Sequence, residues 1–136
     1  MIKLIVGEKG TGKTQKLMKM ANDDVNECKG NVVFLQASHK HVLDLHHDVR
    51  LINAMDFNVD NIESFRGFLS GVVAGNYDIE KVYIDKLYRM MEINEDNIEK
   101  TFELLDELSK KHDIKFTVGL RYAEKDLPEK YKEMMI

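Results

Sequence analysis

Five short, nearly continuous runs of apolar or β-branched residues constrain the fold of this 136-residue chain more than any other feature. They cover residues 2–6, 32–36, 49–52, 81–84 and 115–118. Each run has the length of a strand and is too continuous for a sheet with one solvated face. The runs therefore predict a five-stranded sheet that is covered on both faces.

Segments with the helical spacing of apolar residues separate these runs. The main predicted helices are one of about four turns that ends before Gly30, one that begins near Ile62, and one from about Glu95 to Lys111. Shorter candidates cover residues 38–47 and 127–135. Asp60 and Glu63 resemble a capping box at the start of the second helix. Strands that alternate with helices imply parallel pairing through right-handed crossovers, so we expect an α/β three-layer sandwich with a mainly parallel sheet.

A glycine-rich segment joins the first strand to the first helix. Residues 7–14, Gly-Glu-Lys-Gly-Thr-Gly-Lys-Thr, match the pattern G-x-x-x-x-G-K-[ST] at every fixed position. Glycines at 7, 10 and 12 permit backbone conformations in which successive N–H groups surround a polyphosphate. Lys13 would reach the β- and γ-phosphates, and Thr14 would place its hydroxyl on Mg²⁺. The predicted nucleotide contacts are Gly7, Glu8, Lys9, Gly10, Thr11, Gly12, Lys13, Thr14 and Gln15.

With this loop the chain resembles the P-loop NTPase superfamily over most of its length. The resemblance implies a second element, an apolar strand that ends in an acid, and Val82-Tyr83-Ile84-Asp85 fits it. Asp85 would hold Mg²⁺ through water. It follows a predicted parallel strand, so we expect it at the sheet edge that carries the phosphate loop.

The chain looks similar to the RecA-like division of the superfamily, in which an additional strand lies between the phosphate-loop strand and the strand with the acid. The run 49–52 is the candidate for that strand. In members of the division, the residue after the aspartate is usually a glutamate, and this glutamate activates the attacking water. This chain has Lys86 at that position. A protonated lysine is no general base, so hydrolysis is expected to be slow unless another carboxylate substitutes. The candidate substitutes are Glu8, Glu92 and Glu95.

The last predicted strand supplies two further candidates. Thr117 could sense the γ-phosphate, and Arg121 could contact phosphate in its own chain or in a neighbouring subunit. Arg121 could equally be a solvated cation or a partner of Glu124. The catalytic candidates are thus Lys13, Asp85 and Arg121, with Thr14 and Asp85 as the Mg²⁺ ligands.

Other resemblances are partial. The segment Val118-Gly119-Leu120 is similar to thymidine-kinase-like proteins, but their Asp-Glu pair and cysteine zinc ribbon are missing from this sequence. The chain also looks like a reduced twitching-motility ATPase without the N-terminal domain and the acidic and histidine boxes. Short stand-alone P-loop proteins are the closest fit.

Composition excludes several other classes of protein. Twenty basic and twenty-four acidic residues give a net charge of −4, which disfavours general binding to nucleic acid or to anionic membranes. We expect a single cytoplasmic domain over residues 1–136, because no secretory signal, long apolar span or linker is recognisable. His39, His41, His46 and His47 crowd together, but a polar helix is a better interpretation than a zinc site.

Three functional hypotheses remain open at this point. The first is a Mg²⁺-ATP-binding protein, an ATPase or nucleotide-dependent switch whose hydrolysis is weak or depends on a partner. ATP is favoured over GTP because no Asn-Lys-x-Asp motif occurs. The second is a small nucleoside or metabolite kinase with Arg66 and Arg89 near the acceptor, and the third is a degenerate interaction module. Arg121 and the apolar C-terminus are compatible with a homo-oligomer or a protein partner.

Overall fold

The computed structural model describes residues 1–38 and 44–136 and contains one sheet of five parallel strands. The strands are β1 (Ile2–Gly7), β2 (Asn31–Gln36), β3 (Arg50–Asn53), β4 (Ile79–Ile84) and β5 (Lys115–Arg121). All five coincide with the predicted runs, and the α/β class with a parallel five-stranded sheet is confirmed. The largest difference is at β5, which continues three residues beyond the predicted end at Val118.

The spatial order of the strands is β1-β5-β4-β2-β3. A strand does lie between β1 and β4, but it is β5 and not the predicted run 49–52. The run 49–52 corresponds to β3, which precedes β4 in sequence and pairs only with β2 at the sheet edge. The order of the strands along the chain therefore predicts the wrong intervening strand, because the crossover after β4 brings β5 back beside β1.

Four helices accompany the strands: α1 (Lys13–Glu27), α2 (Ile62–Ala74), α3 (Ile98–His112) and α4 (Glu129–Lys132). On one face of the sheet, Leu17 and Ala21 of α1 pack with Phe34 and Tyr83. The opposite face is covered by apolar residues of α2 and α3, which share one core with alternate residues of the strands. Helix, sheet and helix form the three layers expected from strands that are buried on both sides.

The C-terminal segment covers the outer edge of β1. Within the predicted helix 127–135, only Glu129–Lys132 is α-helical. The chain then runs beside β1, where the Leu4 N–H donates to the Met134 carbonyl at 2.8 Å and the Ile136 N–H donates to the Leu4 carbonyl at 2.9 Å. Backbone groups of an edge strand are thereby paired. Of the other short helix candidate, 38–47, residues 39–43 lie outside the described residues, and residues 44–47 form bends and a turn instead of the predicted helix.

Helix α2 begins one residue later than the predicted capping box implies. Asn61, not Asp60, is the N-cap, and its side chain accepts a hydrogen bond from the Ser64 N–H at 2.8 Å. The Ser64 hydroxyl in turn accepts from the Asn61 N–H at 3.1 Å, which completes the box. Ser64 rather than Glu63 is thus the reciprocal partner. Helix α3 likewise begins at Ile98, about three residues after its predicted start at Glu95.

The revised cap gives a stability prediction. Asn61→Ala should lower the free energy of unfolding by about 1 kcal/mol, because it leaves an N–H of the first turn without its acceptor. Asp60→Ala should cost less than about 0.5 kcal/mol. Urea denaturation of the two variants measures both values. A larger loss of unfolding free energy for Asp60→Ala would instead support the capping box predicted from Asp60 and Glu63.

The described part of the chain, residues 1–38 and 44–136, contains no helix that is both long and apolar enough to cross a membrane.

Candidate functional site

The glycine-rich loop connects the end of β1 at Gly7 to the start of α1 at Lys13. Gly10 and Gly12 have φ angles of 84° and 83°, in the left-handed region that residues with a side chain rarely adopt. Gly12 is also the N-cap of α1. Gly7 has a different constraint, since a Cβ there would lie 2.5 Å from the Thr11 Oγ1 and the Thr11 side chain would have to move. The loop thus adopts the conformation for which its glycines are suited.

Lys13 folds back over this loop. Its ammonium donates a hydrogen bond to the Glu8 carbonyl at 2.7 Å, and the Thr11 hydroxyl donates to the same carbonyl at 2.8 Å. Partial burial lowers the pKa of the Lys13 ammonium, and the positive charges of Arg121 and Lys86 lower it further, while Asp85 acts in the opposite direction. An anion in the loop would offset this repulsion among cations.

Asp85 and Thr14 lie together, as the sequence predicts. Asp85 directly follows β4, and its N–H donates to the Leu35 carbonyl of the neighbouring strand at 2.8 Å. The residue is only 4% exposed. The Thr14 hydroxyl lies 2.9 and 3.1 Å from its two carboxylate oxygens. A buried carboxylate and a helix N-terminal hydroxyl are thus held at one point of the sheet edge.

Lys86 also belongs to this group, although the sequence suggests only that it replaces a glutamate. Its ammonium lies 3.7 Å from an Asp85 carboxylate oxygen and 3.4 Å from the Thr14 hydroxyl oxygen. The backbone of Lys86 has φ 56° and ψ 44°, in the left-handed region. The signal that could have located it is its position, two residues after the end of β4 at Ile84 and next to Asp85.

Arg121 reaches the same edge because β5 is longer than predicted. In the register of β1 and β5, Arg121 is the partner of Gly7, where the loop begins. Its guanidinium carbon lies 4.9 Å from the centre of the Tyr88 ring, a cation–π contact. Tyr88 also lines the cavity described below, and no sequence pattern predicts it, since a lone tyrosine in a 3₁₀ turn carries no motif.

These residues enclose a cavity of about 150 Å³. It is lined by Lys9, Gly10, Thr11, Gly12, Lys13, Thr14, Gln15, Asp85, Lys86, Tyr88, Gly119 and Arg121. Among these lining residues are four basic side chains, Lys9, Lys13, Lys86 and Arg121, and one acidic side chain, Asp85. On a chain with a net charge of −4 the cavity is a local concentration of positive charge.

Two predicted nucleotide contacts are displaced from this cavity. The side chain of Glu8 is exposed, and Glu8 lines an adjacent depression with Lys9 and Arg121. Gly7 ends β1 behind the loop. The remaining predicted loop residues, from Lys9 to Gln15, all line the cavity.

Other sequence-based candidates lie elsewhere. Thr117 is in the middle of β5 and lines a crevice with Lys81 and Tyr83, not the cavity at the glycine-rich loop, so its position does not support the predicted role as a γ-phosphate sensor. Glu92 and Glu95 are exposed and do not line the cavity at the glycine-rich loop. The two proposed acceptor contacts are also absent from its lining. Arg66 is exposed on α2, and the Arg89 guanidinium donates to the Ala37 carbonyl at 3.3 Å.

The described histidines near β3 form a separate cluster. His46, His47 and Asp48 offer ligand atoms within 4.8 Å of one another. However, the His46 Nδ1 already accepts a hydrogen bond from the Asp48 N–H at 3.1 Å, and the His47 side chain is 85% exposed. His39 and His41 lie outside the described residues. None of the three described residues of the cluster lines the cavity at the glycine-rich loop.

A larger groove of about 670 Å³ lies between β3 and α2. Its lining is mainly apolar and includes Leu51, Ile52, Phe57 and Phe68. Size alone would favour this groove as a binding site. The smaller cavity is the better candidate for chemistry, because polar and charged groups from three separate elements converge there.

Comparison with models of protein families gives no match to this chain, and comparison with curated proteins gives no significant match.

Proposed function

We propose that this protein binds a nucleoside triphosphate, with ATP as the expected ligand, through the loop between β1 and α1. The observation that carries the proposal is the cavity of about 150 Å³ with four basic side chains and one acidic side chain at the start of a helix. Unpaired N–H groups at a helix N-terminus and the helix dipole both favour an anion at this position.

The size of the cavity fits the phosphates of the nucleotide, but not the whole nucleotide. It is smaller than the roughly 300–1,000 Å³ of pockets that enclose drug-sized molecules. A polyphosphate chain would lie against the loop from Lys9 to Thr14, and the nucleoside would extend outwards. Lys13 would exchange the Glu8 carbonyl for phosphate oxygens, and Arg121 would approach from β5 in the same chain.

Thr14 and Asp85 have the oxygen donors that Mg²⁺ prefers. We infer that the Thr14 hydroxyl would bind Mg²⁺ directly and that the buried Asp85 carboxylate would do so through water, since the two already lie within 3.1 Å. The ion would neutralise charge on the phosphates. Asp85 would also keep the Thr14 side chain oriented towards the cavity.

Intrinsic hydrolysis should be slow. Among the described residues that line the cavity, no glutamate is present, and Lys86 occupies the position after the strand-end acid. An ammonium cannot accept a proton from the attacking water. We therefore propose an ATPase or nucleotide-dependent switch of the RecA-like type in the cytoplasm, whose turnover depends on a second copy or on a protein partner. The position of β5 between β1 and β4 supports this relationship.

Isothermal titration calorimetry with ATP and Mg²⁺ tests the binding step. The expected result is saturable binding with one site per chain. A matched control is Lys16→Ala, which removes an exposed lysine of α1 that does not line the cavity and should leave the affinity unchanged. A dissociation constant of about 1 mM corresponds to a binding free energy of about −4 kcal/mol. A complete lack of binding at about 1 mM ATP would contradict the proposal.

A further inference from the structure

We propose that Lys86 is a built-in cation of the phosphate site, which makes the affinity for ATP largely independent of Mg²⁺. The inference rests on the proposed function, because it assigns a role to one more residue of the same cavity. It concerns the affinity of the site rather than its turnover.

The position of the ammonium supports this role. Lys86 Nζ lies 3.4 Å from the Thr14 hydroxyl oxygen and 3.7 Å from an Asp85 carboxylate oxygen, the two groups proposed above to hold Mg²⁺. Its side chain is 28% exposed, and the Asp85 side chain is 5% exposed. The ion pair is therefore partly shielded from water, which strengthens it relative to a surface pair.

Lys13 is directed to a different part of the loop. Its ammonium donates to the Glu8 carbonyl at 2.7 Å and lies 3.4 Å from the Thr11 hydroxyl oxygen. The two lysines thus place positive charge on two sides of the same cavity, both of which they line. A polyphosphate that enters between them would have one ammonium on the loop side and one on the Asp85 side.

The backbone at Lys86 holds the side chain in this place. Its left-handed conformation, φ 56° and ψ 44°, is unfavourable for a residue with a side chain. The turn that follows retains it, with the Arg89 N–H donating to the Lys86 carbonyl at 2.9 Å. Strained backbone that is fixed by its surroundings is a common feature of functional sites.

The chemistry of an ammonium group fits a shared position. It has three N–H donors and no acceptor, so contacts with Thr14 and Asp85 leave a donor for a phosphate oxygen. Mg²⁺ held by the same two residues would be repelled by this charge, and the repulsion would offset part of its attraction to the phosphates. Mg²⁺ should therefore add little to the binding free energy of ATP in the native protein, and more when the charge at residue 86 is removed.

The test compares ATP affinity in excess EDTA with that in excess Mg²⁺, for the native protein and for Lys86→Gln. Coupling between two ligands usually changes an affinity by about 5- to 150-fold. We expect the ATP affinity of the native protein to change by less than about fivefold between the two buffers, and that of Lys86→Gln to change by about 100-fold. Lys86→Arg keeps the positive charge and should behave like the native protein. Lys16→Gln removes one charge outside the cavity and should do the same.

A second neutral variant guards against a folding defect. Lys86→Asn removes the charge but tolerates left-handed backbone, so it should fold and show the same dependence on Mg²⁺ as Lys86→Gln. Equal dependence on Mg²⁺ in the native protein and both neutral variants would overturn the inference and leave the proposed function intact. A native protein that binds no ATP in either buffer would overturn both.

Discussion

Lys13→Ala is expected to weaken ATP binding by about 100-fold, or about 3 kcal/mol. In the structure, the Lys13 ammonium donates to the Glu8 carbonyl, which belongs to the backbone of the loop itself. We expect a phosphate to replace this acceptor, because a charge-assisted contact with an anion is stronger than one with a neutral carbonyl. Without the ammonium, the phosphates would lose that contact and part of the positive charge of the cavity.

The variant can be measured with the same calorimetric titration as the native protein. Lys13 is half-buried, but residues 8–12 of the loop are exposed and the Lys13 ammonium contacts the loop backbone rather than the apolar core, so we expect the thermal stability of Lys13→Ala to stay close to that of the native protein. Its matched control is Lys16→Ala, three residues further along α1. Equal ATP affinity in Lys13→Ala and the native protein would show that nucleotide binds elsewhere or without the loop.

Leu17→Ala should lower the free energy of unfolding by about 2–5 kcal/mol, the usual cost of a cavity left by a buried leucine. Leu17 is fully buried under the first turns of α1, among the apolar residues between that helix and the sheet. It also approaches Gly119 so closely that a Cβ on that glycine would lie 2.9 Å from the leucine Cδ1. The side chain therefore fixes the start of α1 against β5.

A leucine on the opposite face of the sheet provides the control. Leu69 of α2 is also fully buried, and Leu69→Ala should cost a similar free energy of unfolding in urea denaturation. At a temperature where both variants are folded, only Leu17→Ala should weaken ATP binding, because only Leu17 supports the helix that begins at the loop. Equal affinities in the two variants would disprove this connection between α1 packing and the site.

The positions of the glycine-rich loop and of Asp85 in the fold could be predicted from the sequence because both depend on local information. A strict spacing of glycines, a lysine and a threonine identifies the loop, and the rule that parallel strands end at one edge of the sheet brings Asp85 to it. The contact between Thr14 and Asp85, separated by 71 positions in the chain, follows from these two facts. The basic lining of the cavity does not, since Lys86 reaches it through an unusual backbone angle.

The errors have specific physical causes. Gly119 interrupts the predicted apolar run after Val118, but strand β5 continues to Arg121 because Gly119 and Leu120 are buried and pair with β1. That extension moves Thr117 away from the strand end and Arg121 onto it. At the start of α2, Asp60 and Asn61 are both good caps, and the choice depends on Ser64 as the reciprocal partner. The neighbours of each strand depend on tertiary packing that a single sequence does not encode locally.

The most direct test of the central claim is a crystal structure of the protein with a non-hydrolysable ATP analogue. The phosphates should lie within hydrogen-bond distance of the backbone N–H groups between Gly10 and Thr14, with Lys13 turned from the Glu8 carbonyl towards them. Arg121 and Lys86 should flank the phosphate chain. An analogue bound in the groove between β3 and α2, with the loop unchanged, would contradict the assignment of the phosphate site.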